Sequence, residues 1–153
     1  MKWTHVTALL TVSVIILTEQ ANAKNIANLW ALGASTEGAM LRYGISDKMS
    51  GDFGLSSMDF NGGSRIGLFF KGQSNLHPDR AIVPHIGGMF GLDSYSFDGA
   101  SETHISIGGF GGIECFINES FSITGDIAFL RLSFNEETVI TLASPSISVH
   151  WYF

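Results

Sequence analysis

The sequence is poor in cysteine, proline and charge, and each shortage excludes something. Cys115 is the single cysteine among 153 residues, which rules out an intrachain disulfide framework and any multi-cysteine metal site. Asp, Glu, Lys and Arg make up only 14% of the chain, well under the roughly 25% of an ordinary soluble domain. A water-facing surface would need more charge than that. Basic residues are outnumbered 8 to 14, and the formal net charge of -6 argues against nucleic acid as a partner. Beyond residue 23 no stretch offers 18 consecutive apolar residues, so a membrane-spanning helix is excluded there. Membrane residence would have to come from strands, because in lipid only helices and closed barrels satisfy every backbone group.

The amino-terminal residues 1–23 read as a cleavable secretory signal peptide. Lys2 supplies the charged start, an apolar run extends from Val6 to Leu17, and Ala21-Asn22-Ala23 supplies the small-residue cleavage site, which predicts processing before Lys24. The apolar run is shorter than the roughly 20 residues of a spanning helix. No cysteine follows it, so a lipoprotein is not expected. Residues 24–153 then form one domain, since about 130 residues are too few for two ordinary cores.

Within that domain 18 Gly, 12 Phe and only three Pro suit short turns between aromatic-rich strands. Period-two alternation recurs from Leu29 onward and predicts eight strands: 26–35, 39–45, 51–60, 65–72, 81–95, 103–117, 121–134 and 139–153. Turn clusters such as Asn61-Gly62-Gly63-Ser64 and Asp98-Gly99-Ala100-Ser101 separate them. The fold expected is all-β, an eight-stranded antiparallel up-and-down transmembrane barrel. With both termini at the periplasmic end, the outer loops fall near 36–38, 61–64, 98–102 and 135–138, all short for the class.

The chain ends on Ile147, Val149, Trp151 and Phe153, alternating with Ser148, His150 and Tyr152. This pattern resembles the carboxy-terminal assembly signal of bacterial outer-membrane barrels, in which alternate apolar residues lead to a final aromatic. Arg42-Tyr43-Gly44-Ile45-Ser46-Asp47-Lys48-Met49-Ser50 also aligns loosely with Glu114-Cys115-Phe116-Ile117-Asn118-Glu119-Ser120-Phe121-Ser122, a polar turn between alternating strands in each case. These segments are similar to turns of small outer-membrane barrels of the OmpA-like class. The resemblance implies residence in the Gram-negative cell outer membrane, contact with its lipid and lipopolysaccharide, and delivery by periplasmic chaperones to a barrel-assembly machinery.

The alternation also assigns faces. Phe121, Ile123, Ile127 and Phe129 share one side of the seventh strand, opposite Ser122, Thr124 and Asp126; the apolar set should meet lipid. Extended to other strands, this turns Arg42, Asp52, Lys71, His85, Glu114 and Asp126 into the lumen, with Arg65, Asp93, His104 and His150. An Arg or Lys facing the bilayer midplane would cost about 2 to 4 kcal/mol. An interior ion-pair network is therefore expected among Arg42, Asp52, Glu114 and Asp126. Eight strands enclose only enough space for their own side chains, so a porin is not expected. Tyr43, Trp151 and Tyr152 at one end, and Tyr95 and Phe97 at the other, are candidates for interfacial girdles.

Chemistry is thinly signalled. His104, Ser106 and Glu114 share a face, and a His oriented by a carboxylate can activate a Ser for acyl transfer. The set resembles that of outer-membrane lipid A deacylases, but that family carries it near the carboxy terminus and on the outer wall. Ten residues of one strand also separate His104 from Glu114, about 33 Å. No histidine pair has metal-ligand spacing, and Gly108-Gly109 with Gly111-Gly112 lack the Lys-Ser/Thr of a phosphate loop. The expectation is a structural or protective barrel with no cofactor, no metal and no catalytic turnover. Its rivals are a lipid-modifying barrel enzyme and a soluble lipocalin-like binding barrel, the latter requiring the opposite polarity of faces.

Overall fold

A computed structural model describes residues 24–60, 62–97, 100–134 and 138–153. The expected signal peptide, 1–23, and loop positions 61, 98–99 and 135–137 lie outside the described residues. Nine strand segments follow one another: β1 (Trp30–Ser35), β2 (Gly38–Gly44), β3 (Met49–Phe60), β4 (Gly63–Asn75), β5 (Ile82–Phe97), β6 (Ala100–Asn118), β7 (Phe121–Phe134), β8 (Thr138–Thr141) and β9 (Ser144–Tyr152). Sequence neighbours pair antiparallel from β1 to β7, and β9 bridges β7 to β1. The ring is closed, and β8 and β9 together form its eighth stave. No sheet edge runs the length of the molecule, which is what an apolar solvent demands.

The faces follow the pleat. On β7, Ser122, Thr124 and Asp126 are buried while Ile123, Ile127 and Phe129 are exposed. On β3, Ser50 and Asp52 are buried between exposed Met49, Phe53 and Leu55. The outer wall is thus apolar and the interior is largely polar, with rows of rings such as Phe53, Phe70 and Phe90 lying side by side on the outside. A soluble barrel has the reverse polarity, so the lipocalin-like alternative does not fit.

Four departures from the sequence reading have physical causes. The eighth strand, expected unbroken over 139–153, is interrupted at Leu142-Ala143 because Ala143 adopts a left-handed backbone (φ 56°). The first strand starts at Trp30 rather than Ile26. Asn28 is left-handed (φ 62°), and a turn bonding Leu29 N–H to the Ile26 carbonyl folds Ile26 under the barrel. There it packs with Ala31, Val83, Phe116 and Tyr152, an apolar cluster at the base of the lumen. Gly44 makes this possible, since any Cβ there would collide with the Ile26 carbonyl. Tyr152 is not an interfacial aromatic: it is 2% exposed and belongs to the lumen. Tyr95 likewise lies on the lumen-facing register of Asp93, against His104 and Arg65.

Strand lengths are uneven. β1 and β2 have 6 and 7 residues, whereas β5 and β6 have 16 and 19. A tilted strand needs roughly 9 to 11 residues to span the hydrocarbon, so the β1–β2 hairpin stops short while its neighbours continue. Gly38 closes that hairpin with a positive φ of 145°, where any Cβ would collide with the Leu55 carbonyl. Above it β3 has no β2 partner beyond Leu55, and β9 has no strand partner on that side before Ser148. The wall carries a notch there.

The polarity of the wall has a direct consequence for stability. Ile127→Arg, in the middle of β7, is expected to destabilise the barrel by about 2 to 4 kcal/mol in urea unfolding from lipid vesicles, and Val139→Arg near the outer rim by about 0 to 1 kcal/mol. Equal effects at the two positions would contradict a lipid-facing wall.

Candidate functional site in the lumen

Register builds the lumen cluster. Arg42 on β2 stands directly opposite Asp52 on β3, which stands opposite Lys71 on β4. On the other side of the ring, Glu114 on β6 is opposite Val83 on β5 and Thr124 on β7. Strict alternation points Arg42, Asp52, Lys71, Glu114 and Thr124 inward, and in so narrow a barrel opposite walls touch.

Arg42 sits at the centre of the lower lumen with 1% exposure. Its Nε and Nη2 donate to the two Asp52 carboxylate oxygens at 2.6 and 2.8 Å, a bidentate pair. Its Nη1 donates to Glu114 Oε2 at 3.0 Å and approaches the Tyr152 hydroxyl at 3.3 Å, while Nη2 also reaches Gln73 Oε1 at 3.4 Å. Glu114 is fully buried, and its other oxygen accepts from Ser122 at 2.5 Å and from the Tyr152 hydroxyl at 2.7 Å. A guanidinium cannot be discharged in a protein, so its burial is tolerable only with near-complete pairing. His150 borders this group, 4.0 Å from Glu114, with its other ring nitrogen 3.1 Å from Met40 Sδ.

Asp126 belongs to a second tier. It bonds His85 Nε2 at 2.7 Å and lies 3.7 Å from Lys71, whose ammonium meets Glu37 at 2.5 Å. Thus Arg42, Asp52 and Glu114 are in direct contact, while Asp126 pairs with His85 and Lys71 instead. The third tier, near the outer mouth, centres on Asp93: Arg65 donates to its Oδ1 at 2.7 and 2.9 Å, and Arg131 to its Oδ2 at 3.2 Å. Below the barrel, Lys24 donates to the Glu119 carbonyl and lies 4.9 Å from the Tyr152 ring. Partial burial pulls its ammonium below the ordinary lysine range, and Glu119 and Glu114 partly offset this.

The sequence reading missed Tyr152, Gln73 and Ser122 as members of the network. Parity held the signal for Tyr152, which stands two residues after lumen-facing His150. The residues with a catalytic resemblance are not assembled. Ser106 accepts from Arg131 Nη2 at 3.0 Å, the His104 ring lies tilted against Tyr95 with centroids 4.7 Å apart, and Glu114 is committed to Arg42 in the lower lumen. Among the described residues no group of three or more His, Cys, Asp or Glu side chains is arranged to hold a metal ion. Ile147, Val149, Trp151 and Phe153 all face outward, and Trp151 and Phe153 form, with Trp30 and Tyr43, an aromatic rim at the end where the described chain begins and finishes.

A closed antiparallel ring with a charged, self-paired lumen and an apolar wall defines the class of small transmembrane β-barrels. No family model matches the sequence, and no curated protein sequence matches it. Among solved structures the chain is similar to Acinetobacter baumannii CarO2, at 9% identity and a TM-score of 0.42, with 82% of this chain and 98% of that chain covered. It is also similar to Ail, the attachment invasion locus protein of Yersinia pestis, at 11% identity and a TM-score of 0.38, covering 82% and 94%. At such values the reading of this chain rests on its own strand pairing and faces.

Removing one member of the lower cluster leaves uncompensated charge. Arg42→Met should destabilise the barrel by about 3 to 5 kcal/mol, with Asp52→Leu and Glu114→Gln added to it restoring most of the loss. Urea unfolding of the single and triple variants checks this; a triple variant less stable than Arg42→Met would contradict the coupling.

Proposed function

We propose that this protein is a small barrel of the Gram-negative cell outer membrane with a structural or protective role and no catalytic turnover. The observation that carries the reading is the inverted polarity: Arg42, Glu114 and His150 buried inside, Ile127, Phe129 and Trp151 bare outside. Such a wall is unfavourable in water and favourable in lipid. The signal peptide directs export and is cleaved after Ala23. Periplasmic chaperones then hold the chain, and the barrel-assembly machinery reads Ile147, Val149, Trp151 and Phe153. The partners in this reading are outer-membrane lipid and lipopolysaccharide. Nucleic acid is not one.

Support for a structural rather than a transport role comes from the filled lower lumen. The charge network crosses it, and the apolar cluster of Ile26, Val83, Phe116 and Tyr152 closes its lower end. Support for an absence of acyl transfer comes from Ser106, whose hydroxyl partner is the guanidinium of Arg131 rather than a base.

Expression in a Gram-negative host followed by fractionation tests the reading. The protein should be recovered in the outer membrane and should migrate differently on gels with and without boiling. Soluble periplasmic recovery without a mobility change would contradict it. Deleting Phe153 should lower the amount assembled in the membrane, measured by the same mobility change; undiminished assembly would remove the carboxy-terminal segment from the account.

A further inference from the structure

The upper lumen is built differently from the lower. Below, Arg42 faces two carboxylates and is saturated by them. Above lies a cavity of about 500 Å³ whose lining includes three cations, Arg65, Lys71 and Arg131, and two carboxylates, Glu37 and Asp93. Asp93 alone serves both guanidiniums. Neither Arg65 nor Arg131 makes a hydrogen bond through Nη1 to the described residues. Forked donors left over beside a single shared carboxylate suit an anion with several acceptor oxygens.

Two inward-facing glycines hold this cluster open. Gly67 is paired with Asp93 and Gly91 with Ser106. A Cβ at Gly67 would strike the Asp93 carboxylate and the Ser56 hydroxyl, and one at Gly91 would lie 2.6 Å from Ser106 Oγ and 3.5 Å from Arg131 Nη2. The cavity also reaches the notch above the β1–β2 hairpin, with Ser56 and Ser57 of β3 on one side and Ser144 of β9 on the other. Backbone at membrane depth without a strand partner is tolerated where it borders a water-filled cavity. The cavity is therefore bordered by polar groups at the notch.

We propose that the upper lumen is a binding site for a phosphate group, carried on a membrane lipid or free, held by Arg131 and Arg65, while Lys71 beneath stays paired with Glu37 and Asp126. A lipid would bring its phosphate sideways through the notch with its chains left along the apolar wall. A free ion would enter from the outer mouth. The lipid route rests on the membrane reading above, whereas the free-ion route needs only the folded barrel.

The test uses the purified barrel with two probes. Inorganic phosphate is titrated calorimetrically into the protein in a phosphate-free detergent. In parallel, the unfolding temperature is compared in the same phosphate-free detergent with and without added phosphatidic acid. Saturable binding that weakens about tenfold or more in Arg131→Gln is expected, the scale of one lost charge-assisted bond. Gly91→Ala, which keeps every charge, should weaken it as well. Stabilisation by phosphatidic acid alone supports the lateral route, and a response to inorganic phosphate alone supports the axial one. Binding of neither probe, or binding unchanged in both variants, overturns the proposal. The boiling-dependent mobility change is scored on every sample, with Arg65→Gln replacing any variant that loses it. A wild-type protein that lacks the change refutes the barrel itself, whereas an intact barrel that ignores phosphate refutes only the site.

Discussion

A guanidinium that cannot lose its charge, buried at the centre of a barrel with an oily wall, is the constraint on which the rest of the structure depends. Arg42 has only two directions available, into lipid or into the lumen, and the lumen must then supply carboxylates. Asp52 does so from the adjacent strand and Glu114 from across the ring. That cross-lumen contact exists only if the barrel is closed, in register and narrow. A one-residue slip of β2 would turn Arg42 outward and Tyr43 inward. The network therefore ties the register of β2, β3, β6 and β9 to a single cluster, and Tyr152 brings the last strand into it through Arg42 and Glu114.

The same geometry divides the lumen into two functional halves. Its lower part is locked: Arg42 is fully paired, and Ile26, Val83 and Phe116 close the bottom with apolar contacts. Its upper part is open, because the β1–β2 hairpin is short and β5 and β6 are long. Short loops need not mean a featureless outer end. Here the asymmetry comes from strand length, and the notch places Ser56, Ser57 and Ser144 beside a cavity whose walls carry charges of both signs. A rigid base with an open mouth is the geometry from which the phosphate site is proposed.

Period-two alternation carried most of the fold, because in a barrel of this polarity every strand must obey it. The bounds of β7 at Phe121–Phe134 were readable from Ser122, Thr124 and Asp126 alternating with apolar residues. What alternation cannot convey is where a backbone leaves the ladder. Nothing in Leu142-Ala143 announces a left-handed residue, and Asn28 could as well have extended β1. The contact between Arg42 and Glu114 was legible from their equal heights above two similar turns. The assignment of Asp126 to His85 and Lys71 was not, since it depends on the stagger of β4 to β7 rather than on any one strand. Tyr95 and Tyr152 show how an aromatic residue near a strand end invites a girdle reading even when parity sets it inside.

The central claim is the direction in which alternate residues point, and site-directed spin labelling of β7 measures it most directly. With Cys115 replaced by Ser, single cysteines from position 121 to 129 would carry the label in lipid vesicles. The account predicts oxygen accessibility that peaks at 123, 127 and 129, and low oxygen accessibility at 122, 124 and 126. The opposite phase, or no period of two, would contradict an apolar wall around a charged lumen.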